Sequence, residues 1–271
     1  MDYKIGIVEW AFPFPGPYGL KIAAELGLQG MELDFGEYET GYQLYQPRIQ
    51  QAYLECGKEY GIEFPAIALN ALNTHGMSKD RDTADGIIAV ETIQKGIETA
   101  QNMGIPVVQL PSFGDGDIQC EQDFYNTCEK VRFACDLVKG SEITIAVENV
   151  LDAEQTKRML QEVGSPQLKV FYDTQNYHLD RGYSQPEILE AIADDVAQIH
   201  VKDGYNHTIS SALLGRGDVS FFKTAEVIRR TQCTKWLFLE NYYNRKPLSL
   251  LHRDAFELIR RDIETLRTVF S

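Results

Sequence analysis

The sequence lacks the features that would send it to a membrane, to nucleic acid or to an oxidising compartment. No apolar segment approaches the roughly 18 residues needed to cross a bilayer, and no basic stretch leads into an apolar one at the start. A membrane is not expected as a partner. Lys and Arg number 26 against 40 Asp and Glu, giving a formal charge of −14. That charge repels phosphate backbones, and no run of Lys and Arg reverses it locally, so no nucleic acid is expected either. The five cysteines, Cys56, Cys120, Cys128, Cys135 and Cys233, are odd in number and include no Cys-x-x-Cys pair. Reduced thiols and a cytoplasmic location follow as expectations. A Gly-rich phosphate loop is missing after the first apolar run, where Ile7-Val8-Glu9-Trp10-Ala11 stands instead. Its absence argues against an open, doubly wound nucleotide fold.

What is present is an alternating pattern. With 44% hydrophobic and 24% charged residues the chain has the material for a sizeable core. Strand-like runs recur at Tyr3 to Glu9, Gly30 to Phe35, Phe64 to Leu69, Val107 to Pro111, Thr144 to Glu148, Lys169 to Asp173, Val196 to Val201 and Lys235 to Glu240. Most are continuously apolar, as parallel strands covered on both faces should be. Amphipathic segments lie between and after them: Tyr18 to Leu26, Pro47 to Tyr60, Thr83 to Met103, Glu121 to Val138, Glu154 to Val163, Gln185 to Ala193, Phe221 to Thr231 and Ser249 to Val269. In the last, Leu251, Phe256, Ile259, Ile263, Leu266 and Phe270 recur at helical spacing. Gly27, Gly61 and Gly104 each stand between a helix and the next strand, where a left-handed cap stops the helix. Eight such units predict an α/β fold, a (β/α)8 TIM barrel, as one domain over residues 1–271 without an internal linker.

In such a barrel the chemistry gathers at the C-terminal ends of the strands. Acidic side chains dominate there: Glu9, Glu32, Asp34, Glu148, Asp173, Asp203 and Glu240, beside His200, Gln109 and Asn241. Crowded carboxylates raise one another's pKa unless a cation sits among them. Taken singly, each has a structural explanation as a salt-bridge partner or a hydrogen-bonded core residue. Glu148, Asp173, His200 and Glu240 fall on strands five to eight in succession. Together they offer three oxygen donors and one nitrogen donor, a set suited to Mn2+, Mg2+ or Co2+, with Zn2+ also accommodated.

These residues sit in recognisable phrases: Val147-Glu148-Asn149, Tyr172-Asp173-Thr174, Gln198-Ile199-His200-Val201-Lys202-Asp203, Gly215-Arg216-Gly217-Asp218-Val219 and Leu239-Glu240-Asn241. In that order they resemble the xylose-isomerase-like superfamily of sugar epimerases and isomerases, in particular its ketose 3-epimerase and pentulose-phosphate epimerase branches. The resemblance follows strand order through the whole chain, with its specific motifs in the second half. It implies one divalent metal ion, Mn2+ first, held by Glu148, Asp173, His200 and Glu240. It also implies that Glu148 and Glu240 exchange protons with a small-molecule sugar substrate. The chemistry is consistent: removing a proton beside a carbonyl gives an enediolate, which a metal stabilises and which needs an acid or base on each face to be epimerised.

The sequence departs from the free-sugar branch at one point. A His three residues after the Asp ligand is replaced by Asn176, which hydrogen-bonds but carries no charge, and this resembles the sugar-phosphate branch. Lys202 or Arg216 is then a candidate for the phosphate, against the plainer reading of a salt bridge to Asp203 or Asp218. The trinuclear-zinc endonuclease branch needs more histidine than the five present. His75 is either a substrate contact or a surface-loop histidine, and Trp10, with Phe12 and Phe14, either a wall against the sugar or a cover for the rim. The expected activity is a metal-dependent epimerase or isomerase of a ketose or ketose phosphate. An inosose-type dehydratase and a non-catalytic sugar-binding barrel are the alternatives, and a homo-oligomer stays open.

Overall fold

The structure, a computed structural model, describes residues 2–271. Its strands are β1 (Lys4–Val8), β2 (Gly30–Asp34), β3 (Ile67–Ala68), β4 (Val107–Pro111), β5 (Thr144–Glu148), β6 (Leu168–Asp173), β7 (Val196–Val201) and β8 (Trp236–Leu239). They follow one another around a closed barrel in sequence order, with β1 paired parallel to β8. This is the (β/α)8 fold the alternating pattern predicts. The helices among the described residues are α1 (Gly19–Glu25), α2 (Pro47–Tyr60), α3 (Ala84–Met103), α4 (Glu121–Leu137), α5 (Ala153–Val163), α6 (Asn176–Arg181), α7 (Gln185–Ile192), α8 (Phe221–Thr231) and α9 (Ala255–Val269). None is long and apolar enough to cross a membrane. Cys120, Cys128, Cys135 and Cys233 carry free thiols.

The chain packs as two units, and the division between them falls inside β2 and β6. The first comprises the chain up to Glu32, Cys56–Glu63 and Tyr172–Ser271. Within it β8 is the centre: Ile7 is level with Leu239 on one side and Val201 with Leu239 on the other. That register brings the residues just past β7 and β8, Lys202 and Glu240, to the same height. Trp236 and Phe238 stack at 5.6 Å, and two glycines make room for them. A Cβ on Gly6 would lie 2.6 Å from the Phe238 ring, and one on Gly30 would lie 2.7 Å from the Trp236 ring. The second unit comprises Leu33–Glu55 and Phe64–Phe171. There β4 and β5 pair along their whole length, from Val107 with Thr144 to Pro111 with Glu148. All five residues of β4 are buried, which accounts for its apolar sequence apart from Gln109.

Three elements differ from the sequence expectation. β3 is only Ile67–Ala68, because Pro65 has no N–H to give a ladder and delays the strand. The final helix begins at Ala255, where the Asp254 side chain accepts the Phe256 N–H at 2.9 Å. Leu251 therefore lies outside the helix and is 58% exposed rather than part of its apolar stripe. The short α6 was not expected. It starts because Asp173 Oδ1 accepts the N–H groups of Gln175, at 2.7 Å, and Asn176, at 2.5 Å. Gly27, Gly61 and Gly104 do take the left-handed conformation their positions called for.

Candidate metal centre

Glu148 closes β5, Asp173 closes β6, His200 lies within β7 and Glu240 follows β8. One ligand atom from each lies within 4.8 Å of the others, and all four residues are buried. Donors on opposite sides of a small divalent ion at roughly 2.1 Å stand about 4.2 Å apart, so modest side-chain adjustment brings this set onto one ion.

The surrounding charges make the same point. His200 Nε2 is 2.6 Å from Oε2 of Glu32, which is fully buried on β2. A carboxylate only accepts, so Nε2 carries the proton and the ring is oriented as a metal-bound histidine is by an outer carboxylate. The other nitrogen, Nδ1, then faces Glu240 Oε2 at 3.2 Å. That pairing of two acceptors calls for a proton or a metal ion between them. Lys202, 2% exposed, places its ammonium 2.7 Å from Glu240 Oε2 and 3.4 Å from Asp173 Oδ2. Trp10 donates its indole N–H to Glu240 Oε1 at 3.1 Å and sets its ring edge-on to His200. Burial alone would push the Glu240 carboxyl up, but Lys202 and His200 outweigh it and bring the pKa below its ordinary value. Gln109 donates its side-chain amide to Glu148. The Lys202 ammonium is thus met by the buried carboxylates of Asp173 and Glu240, and the His200 imidazole by those of Glu32 and Glu240. The donor chemistry fits a divalent cation.

The other sequence candidates are placed variously. Asn176 is buried at the start of α6. Lys202 meets Glu240 and Asp173, while the Asp203 carboxylate is taken up by backbone donors. Asp203 Oδ1 accepts the Gly204 N–H at 2.8 Å, and Oδ2 accepts those of Gly215 at 2.8 Å and Gly217 at 3.0 Å. Arg216 is exposed in the same loop. His75 is not a free loop histidine: its ring nitrogens meet Asp85 at 2.8 Å and Glu39 at 3.0 Å. Burial lowers its pKa, but the two carboxylates prevail and the net shift is upward. Glu9 accepts the Gly16 N–H at 3.0 Å and so holds the loop after β1 that contains Pro13, Pro15 and Pro17. Sequence reasoning noted Glu32 and Gln109 at strand ends without giving them partners. It missed Asp262 altogether, although an aspartate inside the apolar stripe of Ile259, Ile263 and Leu266 is itself a signal.

A closed (β/α)8 barrel with a buried Glu, Asp, His, Glu cluster at its strand ends defines a barrel enzyme with a candidate metal centre. The chain belongs to the xylose isomerase-like TIM barrel family, whose family model matches residues 20–269. It is 31% identical over 247 residues to 2-epi-5-epi-valiolone 7-phosphate 2-epimerase from Actinoplanes sp., covering 90% of this chain and 88% of that one. It is 26% identical over 244 residues to L-ribulose-5-phosphate 3-epimerase UlaE from Salmonella heidelberg, with 84% and 83% covered. The solved structure of a D-psicose 3-epimerase in the presence of D-fructose superposes with a TM-score of 0.79 at 14% identity, covering 98% of this chain and 99% of that one. The protein is accordingly an enzyme of the sugar isomerase and epimerase class.

Proposed function

We propose that this chain, working as a single domain in the cytoplasm, is a metal-dependent epimerase of a phosphorylated hydroxyketone, a ketose phosphate in the first instance. The observation that carries the reading is the buried cluster of Glu148, Asp173, His200 and Glu240. Support for a phosphorylated substrate comes from the two sequence relatives, both of whose names specify a phosphate. Asn176 in place of a histidine agrees with it.

Glu148, Asp173, His200 and Glu240 would hold one divalent ion, Mn2+ being the first choice among oxygen-preferring metals. When bound, it stabilises the negative charge that develops on substrate oxygens. The remaining work belongs to the chain. One of Glu148 and Glu240 removes the proton from the carbon beside the carbonyl, leaving an enediolate. The other delivers a proton to the opposite face, and the configuration inverts. Lys202 keeps Glu240 ionised, while Glu32 fixes the ring of His200. Asn176 hydrogen-bonds a substrate hydroxyl, Trp10 forms a wall of the site, and His75 stands among the substrate-facing candidates. Arg216 takes the phosphate, since the Lys202 ammonium is committed to carboxylates.

The test is a screen of ketose phosphates and free ketoses with Mn2+ in deuterated water, followed by NMR and mass spectrometry. Epimerisation with one solvent deuteron incorporated supports the reading. Deuterium on the adjacent carbon instead would make the enzyme an isomerase, and a product lighter by one water would make it a dehydratase.

A further inference from the structure

The carboxyl of Asp262, on α9, is fully buried and lies outside the metal centre. Its Oδ1 accepts the Leu214 N–H at 2.9 Å. Its Oδ2 accepts the side-chain amide of Asn241 at 2.8 Å and the hydroxyl of Tyr243 at 2.9 Å. Leu214 belongs to the loop after β7, whereas Asn241 and Tyr243 belong to the loop after β8. One carboxylate therefore ties both loops to a rigid helix.

The connection continues inward. Asn241 Oδ1 accepts the Asp203 N–H at 3.2 Å, and the Asp203 carboxylate in turn gathers Gly204, Gly215 and Gly217. The approach is tight, since a Cβ on Gly217 would lie 2.0 Å from Asp203 Oδ1. Ser210 of the same loop hydrogen-bonds the carbonyl of Glu240 at 3.3 Å and the side chain of Gln175 at 3.0 Å. Asn206, His207 and Ser210 all have positive φ without being glycine. Such a backbone persists only where its surroundings over-determine it.

We infer that Asp262 is a positioning residue that clamps the loop of residues 204–219 against the end of β8, and so fixes Glu240 and the loop carrying Arg216 in one arrangement. It touches neither metal nor substrate. The inference rests on the reading of Glu240 as a site carboxylate.

Amide hydrogen exchange and Mn2+ titration of the full chain test it, comparing the unaltered protein with Asp262→Ala and Asp262→Asn. In Asp262→Ala the Leu214, Gly215 and Gly217 amides exchange at least about tenfold faster, as loss of a buried hydrogen bond requires, while amides of β4 stay as they were. Mn2+ affinity falls at least about threefold, a smaller loss than that for a group bonded directly to a ligand. Asp262→Asn keeps a carbonyl for Leu214, so it restores protection of that amide and part of the affinity. Unchanged exchange at the three amides overturns the clamp. Equal loosening of β4 reduces it to general stability, and Mn2+ affinity within about twofold in Asp262→Ala removes its link to the site. If Asp262→Ala does not fold, the same readings on Asp262→Asn decide: a protected Leu214 amide with weakened Mn2+ binding supports the clamp, and both unchanged reject it. Failure of the unaltered protein to bind Mn2+ would overturn the metal reading and, with it, the assigned effect on Glu240. The exchange data would then judge the loop attachment on its own.

Discussion

Glu240 and Asp262 are both buried, yet their surroundings drive the two carboxyls in opposite directions. At Glu240 the penalty of burial is overcome by the Lys202 ammonium and by His200, and the pKa falls below its ordinary value. At Asp262 the donors are neutral, from Asn241, Leu214 and Tyr243. Burial prevails, Asp203 adds its repulsion, and the pKa is pushed up to about 7. The contrast separates two uses of a buried acid. One answered by cations stays ionised and can accept a proton or a metal; one answered by neutral groups holds backbone and side chains in place.

The largest expected effect breaks the comparison on the catalytic side. Glu240→Gln and Glu148→Gln each lower turnover of the true substrate by at least about a hundredfold, with metal content checked in each, because shape persists but the proposed base is gone. Asp262→Asn loses far less. A hundredfold loss in Asp262→Asn beside near-normal turnover in Glu240→Gln would reverse the assignment of roles.

Next comes the partner of His200. Replacing Glu32 by Gln removes the carboxylate that holds Nε2–H, and Mn2+ affinity measured by calorimetry falls about 10- to 100-fold. Equal affinity in both proteins would mean that the ring is oriented by something else.

A smaller effect sharpens the contrast through pH. The folded protein holds the Asp262 proton more tightly than the unfolded chain does, with a pKa of about 7 against 3.8. This group's contribution is therefore fully present below 3.8 and is lost as pH rises through about 7. Urea unfolding of the unaltered protein and Asp262→Asn across that window should show the unaltered protein losing its relative advantage as pH rises. A constant difference between the two would show that Asp262 does not titrate there. Smallest of all is Arg216→Met, which raises KM for the phosphorylated substrate and leaves the unphosphorylated one nearly unaffected. Equal changes in both would reject its phosphate role.

Much of this was legible in the sequence because barrel strands announce themselves. Val107–Pro111, Thr144–Glu148 and Val196–Val201 are mostly apolar runs that end where the structure ends them. The four residues of the cluster were legible for the same reason, each being a polar residue at or next to the end of such a run. Partners are harder to read, because they depend on distances across the fold. His200 meets Glu32 168 positions away, and Lys202 meets Glu240 38 positions away. Asp262 was hidden in a helix whose periodicity suggested only packing. The start of that helix was misplaced because Leu251 mimics its apolar spacing while lying in the exposed loop before it.

The central claim is that Glu148, Asp173, His200 and Glu240 hold one divalent ion. Titrating the metal-stripped protein with Mn2+, alongside His200→Ala, tests it most directly. The account predicts one ion per chain in the unaltered protein and strongly weakened binding in the variant. No binding, a stoichiometry of two or three, or unchanged affinity in His200→Ala would contradict it.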